Sequence, residues 1–407
     1  MDIEAPTPDP QRAVTRLLGL LNLEEVETDL FRSQSTDEGW IRVYGGQVVA
    51  QALMAASRTV EQGRLCHSLH SYFIRPGDPK LPIVYKVERD RDGASFTTRR
   101  IVAIQKGRPI FNMAASFQVP EDGLEHAITP PSDVPHPDGL QSDSEWARRN
   151  APNAPEPWRT IWLTRDRPLD VRAVEGDDDF FNPQKRPPQQ RHWVRLAAPL
   201  TPEQAADPVL QRCLFAYASD MTLLDTCLAP HGISWANPAL QSASLDHAIW
   251  FNQTPDMNDW HLFDQDSPMA GGGRGINRAI VHDINGRPVA TLMPYDSVAD
   301  AYAMIRRGEG SLVCSVYSED PAFTAQASVE LASSHGRVHA ISPDVAALHS
   351  GHGNVMPMSL HGGPGRAGGG EELGGLRALN FYHRRAAVQG SSLALDQLAA
   401  QGATLSL

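Results

Sequence analysis

The chain contains no run of about 18 apolar residues, so no membrane-spanning helix is expected. Cysteine is scarce. Only Cys66, Cys213, Cys227 and Cys314 occur in 407 residues, with no CxxC pair and no metal-ligand spacing. Reduced thiols are therefore expected, not a disulfide framework. Fifteen histidines form no HExxH pattern. His67 and His70 stand three apart in an alternating segment, on opposite faces of a strand, which is poor geometry for a metal. Positive charge is also in deficit. A net charge of -12 speaks against nucleic acid as partner, although a local basic patch could still hold an anion. The first ten residues carry Asp2, Glu4 and Asp9 and no apolar centre, so no secretory signal is expected. What remains is ordinary for a globular protein. Hydrophobic residues make up 41% and charged residues 21%, and the length has room for two or three domains.

The strongest positive feature is an internal echo. Tyr44-Gly45-Gly46-Gln47 leads into the small-residue run Val48–Ser57 and then a strand-like His67–Phe73. Tyr217-Ala218-Ser219-Asp220 leads into a second run and then Leu245–Phe251. Lys106-Gly107-Arg108-Pro109 and Asn285-Gly286-Arg287-Pro288 continue the pattern at a similar offset. Two copies of one fold unit are implied, with Gln47 of the first copy corresponding to Asp220 of the second.

The first copy starts with a helix over 11–22, whose Val14, Leu17, Leu18 and Leu21 share one face. The run from Val48 is apolar almost all round and predicts a buried helix. Strands are expected at His67–Phe73, Ile83–Arg89, Ser95–Gln105 and Ile110–Gln118, separated by Gly- and Pro-bearing turns. A buried helix wrapped by a curled antiparallel sheet is the hotdog arrangement, although element order alone permits other α+β folds. The second copy predicts a helix over Asp220–Leu228 and strands at Leu169–Val174, Arg191–Ala197, Ser242–Phe251, Trp260–Asp264, Gly275–Asp283 and from Val289 onward. Expected boundaries are 12–120 and 166–296 for the two units, with 121–165 as a surface connection. Residues 297–407 are expected to be a loosely packed, Gly-rich tail with a short helix over Leu393–Gln401.

Asp220 is the first candidate for chemistry. A carboxylate at a helix start is stabilised by free N–H groups and the helix dipole, and the plainer reading of such a residue is an N-cap. Ser244 has a hydroxyl able to hold a water, or it is simply a solvent-facing strand serine. No GxSxG elbow surrounds it, and Ser244, Asp246 and His247 cannot gather on one face of an extended strand, which disfavours a catalytic triad.

Several ordered motifs resemble the acyl-CoA thioesterase II family. They are Val43-Tyr44-Gly45-Gly46-Gln47-Val48-Val49, His67–Gly77, Arg91-Asp92-Gly93-Ala94-Ser95-Phe96, Tyr217-Ala218-Ser219-Asp220 and Ser244–Phe251, over roughly residues 12–293. The resemblance implies an α+β tandem hotdog that hydrolyses fatty acyl-CoA, with Asp220 and Ser244 positioning the attacking water. It implies no metal and no cofactor. Gly45, Gly46, Gln47 and Arg274 are expected substrate contacts, with Arg99 and Arg100 as further candidates for the CoA phosphates. A glutamine should complete the catalytic set in a Gln-Glu-Gly motif. Its expected position is Pro294, and no glutamine occurs between Gln265 and Gln326. A frameshift or retained intron near this point would explain the loss and the altered tail, and sequencing the transcript across codons 290–306 tests it.

The expectation is thus a thioesterase impaired at Pro294. The alternative is a catalytically silent double hotdog that binds acyl-CoA or a protein. A hydratase is disfavoured because no His follows Gln47 or Asp220 closely. A homo-oligomer is expected, as is common among hotdog proteins. The expected location is peroxisomal or cytoplasmic, with the terminal Leu405-Ser406-Leu407 lacking the basic residue of a peroxisomal signal.

Overall fold

The computed structural model describes residues 8–35, 42–121, 127–175, 179–234, 236–292, 311–318, 320–332, 335–341, 387–389 and 396. The chain forms two compact units, Met1–Pro294 and Tyr295–Leu407. Helix α1 (Pro10–Leu21) opens the first unit. Asp9 accepts hydrogen bonds from the N–H groups of Gln11 and Arg12, and Pro10 occupies the first turn, where its missing N–H costs nothing. Its buried face is Ala13, Val14, Leu17 and Leu21.

The first half then runs β1 (Glu24–Glu27), β2 (Leu30–Arg32), α2 (Gly45–Ser57), β3 (Leu65–Phe73), β4 (Val84–Asp92), β5 (Phe96–Gln105) and β6 (Arg108–Gln118). Helix α2 is buried on nearly every side, as its sequence predicted. Between the halves, α3 (Asp143–Asn150) begins at a capping box, in which Ser142 and Glu145 satisfy each other's backbone N–H. With α4 (Trp158–Thr164), it carries a small core of Ala147, Ala151, Ala154 and Trp162 packed against Trp146, Trp158, Phe180 and Phe181. The Pro- and Asp-rich composition had suggested only a surface connection here. The aromatic residues spaced along it supply enough apolar area for a satellite core.

The second half comprises β7 (Leu169–Ala173), β8 (Gln189–Leu196), α5 (Pro202–Ala205), α6 (Pro208–Ala218), β9 (Asp246–Phe251), β10 (His261–Gly271), β11 (Arg274–Asp283) and β12 (Pro288–Leu292). The helix expected over Asp220–Leu228 is corrected. The buried helix precedes Asp220, and only a short 3-10 turn, Leu224–Cys227, follows it. The local reason is Asp207, which accepts from the N–H groups of Val209 and Leu210, with Pro208 at the first helical position.

All twelve strands join one antiparallel sheet in the order β1-β2-β4-β5-β6-β3-β9-β12-β11-β10-β8-β7. The order is palindromic: β1 corresponds to β7, β2 to β8, and each later strand to its partner. The centre is the β3–β9 pair, where Leu69 lies opposite Ile249 and Ser71 opposite His247. Helices α2 and α6 pack against each other, and one continuous core spans both halves. This is a double hotdog. Among the described residues no helix is long and apolar enough to cross a membrane.

The second unit contains β13 (Ser311–Tyr317), α7 (Pro321–Ala332), β14 (His335–Ile341) and β15 (Ala387–Gln389), with the three strands parallel. Val316, Ala327, Leu331 and Val338 form its core. The expectation of loose packing is therefore corrected for residues 311–341, where the strand-helix-strand succession buries an alanine-rich helix. The Gly-rich stretch at 361–375 lies outside the described residues, as does the expected Leu393–Gln401 helix apart from Asp396.

Candidate active site

Asp220 lies two residues beyond the end of α6, yet it stands at a helix N-terminus after all, that of α2 in the other half. Its Oδ2 accepts a hydrogen bond of 2.9 Å from the Gly46 N–H, and its Oδ1 faces the Ser244 hydroxyl at 3.4 Å. Tyr44, the residue before α2, has no side-chain cap to offer. Asp220 therefore fills the capping position from across the half-to-half contact, and the capping reading is met on a different helix from the one expected. Burial raises the Asp220 carboxyl to about 6, while the Gly46 N–H and Ser244 hydroxyl pull the other way. Shifting a carboxyl from 3.8 to about 6 corresponds to roughly 3 kcal/mol against its charged form. The site thus holds a carboxylate near the midpoint of its titration at mildly acidic pH.

The two glycines make this approach sterically open. A Cβ on Gly45 would sit 2.6 Å from Asp220 Oδ2 and 3.0 Å from the Phe73 ring, and one on Gly46 would run into the Tyr217 carbonyl. The Tyr44 hydroxyl donates to that carbonyl at 2.9 Å, and the two tyrosine rings meet edge to face at 5.0 Å. The end of α6 is therefore pinned to the start of α2.

A second contact fixes the backbone from which Asp220 projects. Ser219 is fully buried, and its hydroxyl lies 2.9 Å from the Ala216 carbonyl and 2.8 Å from His247 Nε2. A serine has one hydrogen, and a carbonyl can only accept. The hydroxyl thus donates to Ala216, and His247 Nε2–H donates to the hydroxyl. Burial lowers His247 to about 4, so the ring is neutral at physiological pH. The neighbouring strand β3 locks in as well, with the Ser71 hydroxyl donating to the His247 carbonyl at 2.8 Å.

Of the residues proposed from sequence, the structure brings Gly45, Gly46, Asp220 and Ser244 together. Gln47 is buried and faces inward, 3.4 Å from Gln51, which in turn accepts from the Tyr85 hydroxyl. Its pairing with Asp220 as a repeat equivalent is corrected, because Gln47 lies in the first turn of α2 and Asp220 lies past the end of α6. Arg274 is exposed at the tip of the β10–β11 hairpin, and no contact joins it to Asp220 or Ser244 among the described residues. Arg99 is corrected too. It is 1% exposed and committed to Thr59 and Asp92. Arg100 pairs with Glu88 on the surface. Pro294 lies outside the described residues. Sequence reasoning missed Ser219 and His247 as a pair, although Ser219 directly precedes Asp220 and His247 was weighed only as a triad member.

The fold and this junction define a double hotdog protein with a buried carboxylate where the two halves meet. Residues 164–302 match the family model described as acyl-CoA thioesterase, and residues 34–118 match that of the acyl-CoA thioesterase N-terminal domain. The chain is 37% identical over 278 residues to acyl-CoA thioesterase 2 of Haemophilus influenzae, covering 68% of this chain and 95% of that protein. The crystal structure of the acyl-CoA thioesterase II TesB2 from Mycobacterium marinum is 38% identical, with a TM-score of 0.55 over 68% of this chain and 95% of that one. A different similarity covers 92 residues, at 51% identity, to a 3,4-dehydroadipyl-CoA semialdehyde dehydrogenase of Aromatoleum evansii. It spans 22% of this chain and 18% of that protein. The chain belongs to the acyl-CoA thioesterase family and is a thioester hydrolase by that membership.

Proposed function

We propose that the chain hydrolyses fatty acyl-CoA through a water held between Asp220 and Ser244. Asp220 takes the water's proton as its oxygen attacks the thioester carbonyl. The carbonyl oxygen, now negative, meets backbone N–H groups at the start of α2, where Gly45 and Gln47 have no intrahelical partner to satisfy. The carbon–sulfur bond then breaks, and the thiolate of CoA leaves and is protonated. The observation that carries the reading is the Asp220 carboxylate seated on the Gly46 N–H at the glycine-lined start of the other half's helix.

The loss of a glutamine at position 294 favours a second reading, a double hotdog that binds acyl-CoA without turning it over. Two anchors hold a water less firmly than three, and a misplacement of about 1 Å costs about 100-fold. One experiment decides. Thiol release from a long-chain acyl-CoA is measured with the full chain and with Asp220→Ala. Turnover that vanishes in the variant supports hydrolysis, whereas binding without turnover in the parent chain supports the silent protein.

The domain boundaries 12–120, 121–165, 166–296 and 297–407 belong to the same proposal. The dehydrogenase similarity is assigned to the last segment, because a parallel strand-helix-strand unit is foreign to a hotdog and the acyl-CoA thioesterase family model ends at residue 302. The segment is read as an addition without part in the hydrolysis, so its removal should leave thiol release unchanged.

A further inference from the structure

A cavity of about 710 Å³ lies in the second half, away from Asp220, between strands β7 and β8, helix α3 and the connection that follows α6. Its volume falls within the range of small-molecule sites. The cluster of Gln190, Thr222 and Gln265 ties the cavity wall to the turn that follows Asp220. Gln190 Nε2 donates to the Thr222 carbonyl at 2.7 Å, and Gln265 Nε2 donates to the Thr222 hydroxyl at 2.6 Å.

Aromatic rings of Trp146 and Phe180 line the cavity beside aliphatic groups such as Val171, Val174 and Ile233. Its charges are unequal, with four carboxylates and two guanidiniums. Two of those carboxylates have partners outside the cavity lining, since Asp143 pairs with Arg167 at 3.2 Å and Glu175 with Arg191 at 2.8 Å. Asp179 is held by the backbone N–H groups of Phe181 and Asn182. Asp225 differs. Arg186 influences it electrostatically, yet burial still raises its carboxyl to about 7. His192 also lines the cavity, and its buried Nδ1 has no hydrogen-bond partner among the described residues. His192 bonds to Gln265 through its other nitrogen, and burial lowers the ring to about 4. The Gln265 oxygen already accepts from Gln190 Nε2 at 3.1 Å, and a further bond to it from His192 Nε2–H would leave Nδ1 as a bare acceptor.

We propose that this cavity binds a protonated organic amine with an apolar body, the ammonium donating to Asp225 and His192 Nδ1 while the body packs against Trp146 and Phe180. An ammonium meets three demands at once. It restores the charge of a desolvated carboxylate, supplies a proton to an unpaired nitrogen and is attracted to the face of an aromatic ring. A carboxylate ligand would meet the Asp225 carboxyl with like charge.

The probe is 2-phenylethylammonium, titrated into the full chain by calorimetry, with 2-phenylethanol and 3-phenylpropionate as neutral and anionic isosteres. Saturable binding of the amine, at least about tenfold tighter than either isostere, is expected. Asp225→Asn and Phe180→Leu should each weaken it by about tenfold while thiol release from acyl-CoA stays unchanged. Two variants are used so that one failing to fold, judged by its melting transition, leaves the other as the test. Equal binding of the neutral isostere, tighter binding of the carboxylate, no binding of the amine, or full affinity in the folded variants would each overturn the proposal.

Discussion

The two halves share a strand plan but treat the start of their central helices in opposite ways. Helix α6 closes its own N-terminus, with Asp207 accepting two of the free N–H groups and Pro208 removing another donor. Helix α2 begins Gly45-Gly46 with no cap of its own, so its donors are offered outward and one is taken by Asp220 of the other half. The connections that follow also differ. The chain crosses from α2 to β3 over 58–64, but from α6 to β9 over the much longer 219–245, which carries Asp220, Thr222, Asp225 and Ser244. A symmetric pair of hotdogs would make two equivalent junctions. Here one is shut by self-capping and the other is opened by glycine, so the two junctions are not equivalent.

The largest expected effect that tests this contrast is at Asp220. Asp220→Asn should lower kcat for thiol release by about 10²–10⁴-fold. It should also make the protein more stable, since a carboxyl whose folded value is raised to about 6 costs stability as pH climbs from 3.8 through 6. Melting followed against pH should show the variant ahead at pH 8 by up to roughly 3 kcal/mol, with the gap closing near pH 4. An equal gap at both pH values would contradict this. The wild-type rate should rise with pH through about 6 as Asp220 ionises.

Next in size is Gly46→Ala, whose methyl group meets the Tyr217 backbone. Denaturant titration should record a loss of about 1–3 kcal/mol, with activity falling in the protein that remains folded. Ser219→Ala should follow. It strips the acceptor from His247 Nε2–H, costing about 1–3 kcal/mol, and should lower kcat more than KM because Asp220 loses its fixed backbone. The His247 ring supplies a pH signature, because a histidine lowered from 6.5 to about 4 contributes stability that is complete above 6.5 and lost as pH falls towards 4.

The mirror-image test is Asp207→Ala at the start of α6. It should cost about 1 kcal/mol of stability and leave kcat untouched, and a comparable fall in kcat would erase the distinction between the two helix ends. The smallest effect is expected from Arg274→Ala. Exposed at its hairpin tip, this residue should change KM for acyl-CoA by no more than a few-fold, and only at low salt.

The strands and α2 were legible in the sequence because their signals are local. Period-two burial through Ile101 and Ala103 of β5, and turns at Gly107 and Gly286, need no knowledge of distant partners. Asp220 and Ser244 were legible through motif resemblance, but the helix assigned to Asp220 was wrong. Two apolar stretches flank the Tyr-Ala-Ser-Asp motif, and the Asp207-Pro208 start signal ahead of the first was overlooked. What no local pattern could give was the role of Gly46, which becomes an anion site only when the other half is folded against it. The inward turn of Gln47 and the burial of Arg99 were hidden for the same reason, since both are set by tertiary partners.

The β3–β9 pairing at the centre of the sheet has a consequence for how the protein is made. Synthesis proceeds from the N-terminus, so β3 leaves the ribosome long before β9, and its hydrogen-bonding edge must wait for a strand encoded far downstream. Contacts so distant in sequence are slow to form. The unjoined first half is therefore the species most exposed to pairing with another nascent chain, and a chaperone that shields one strand edge during translation would have most to gain there.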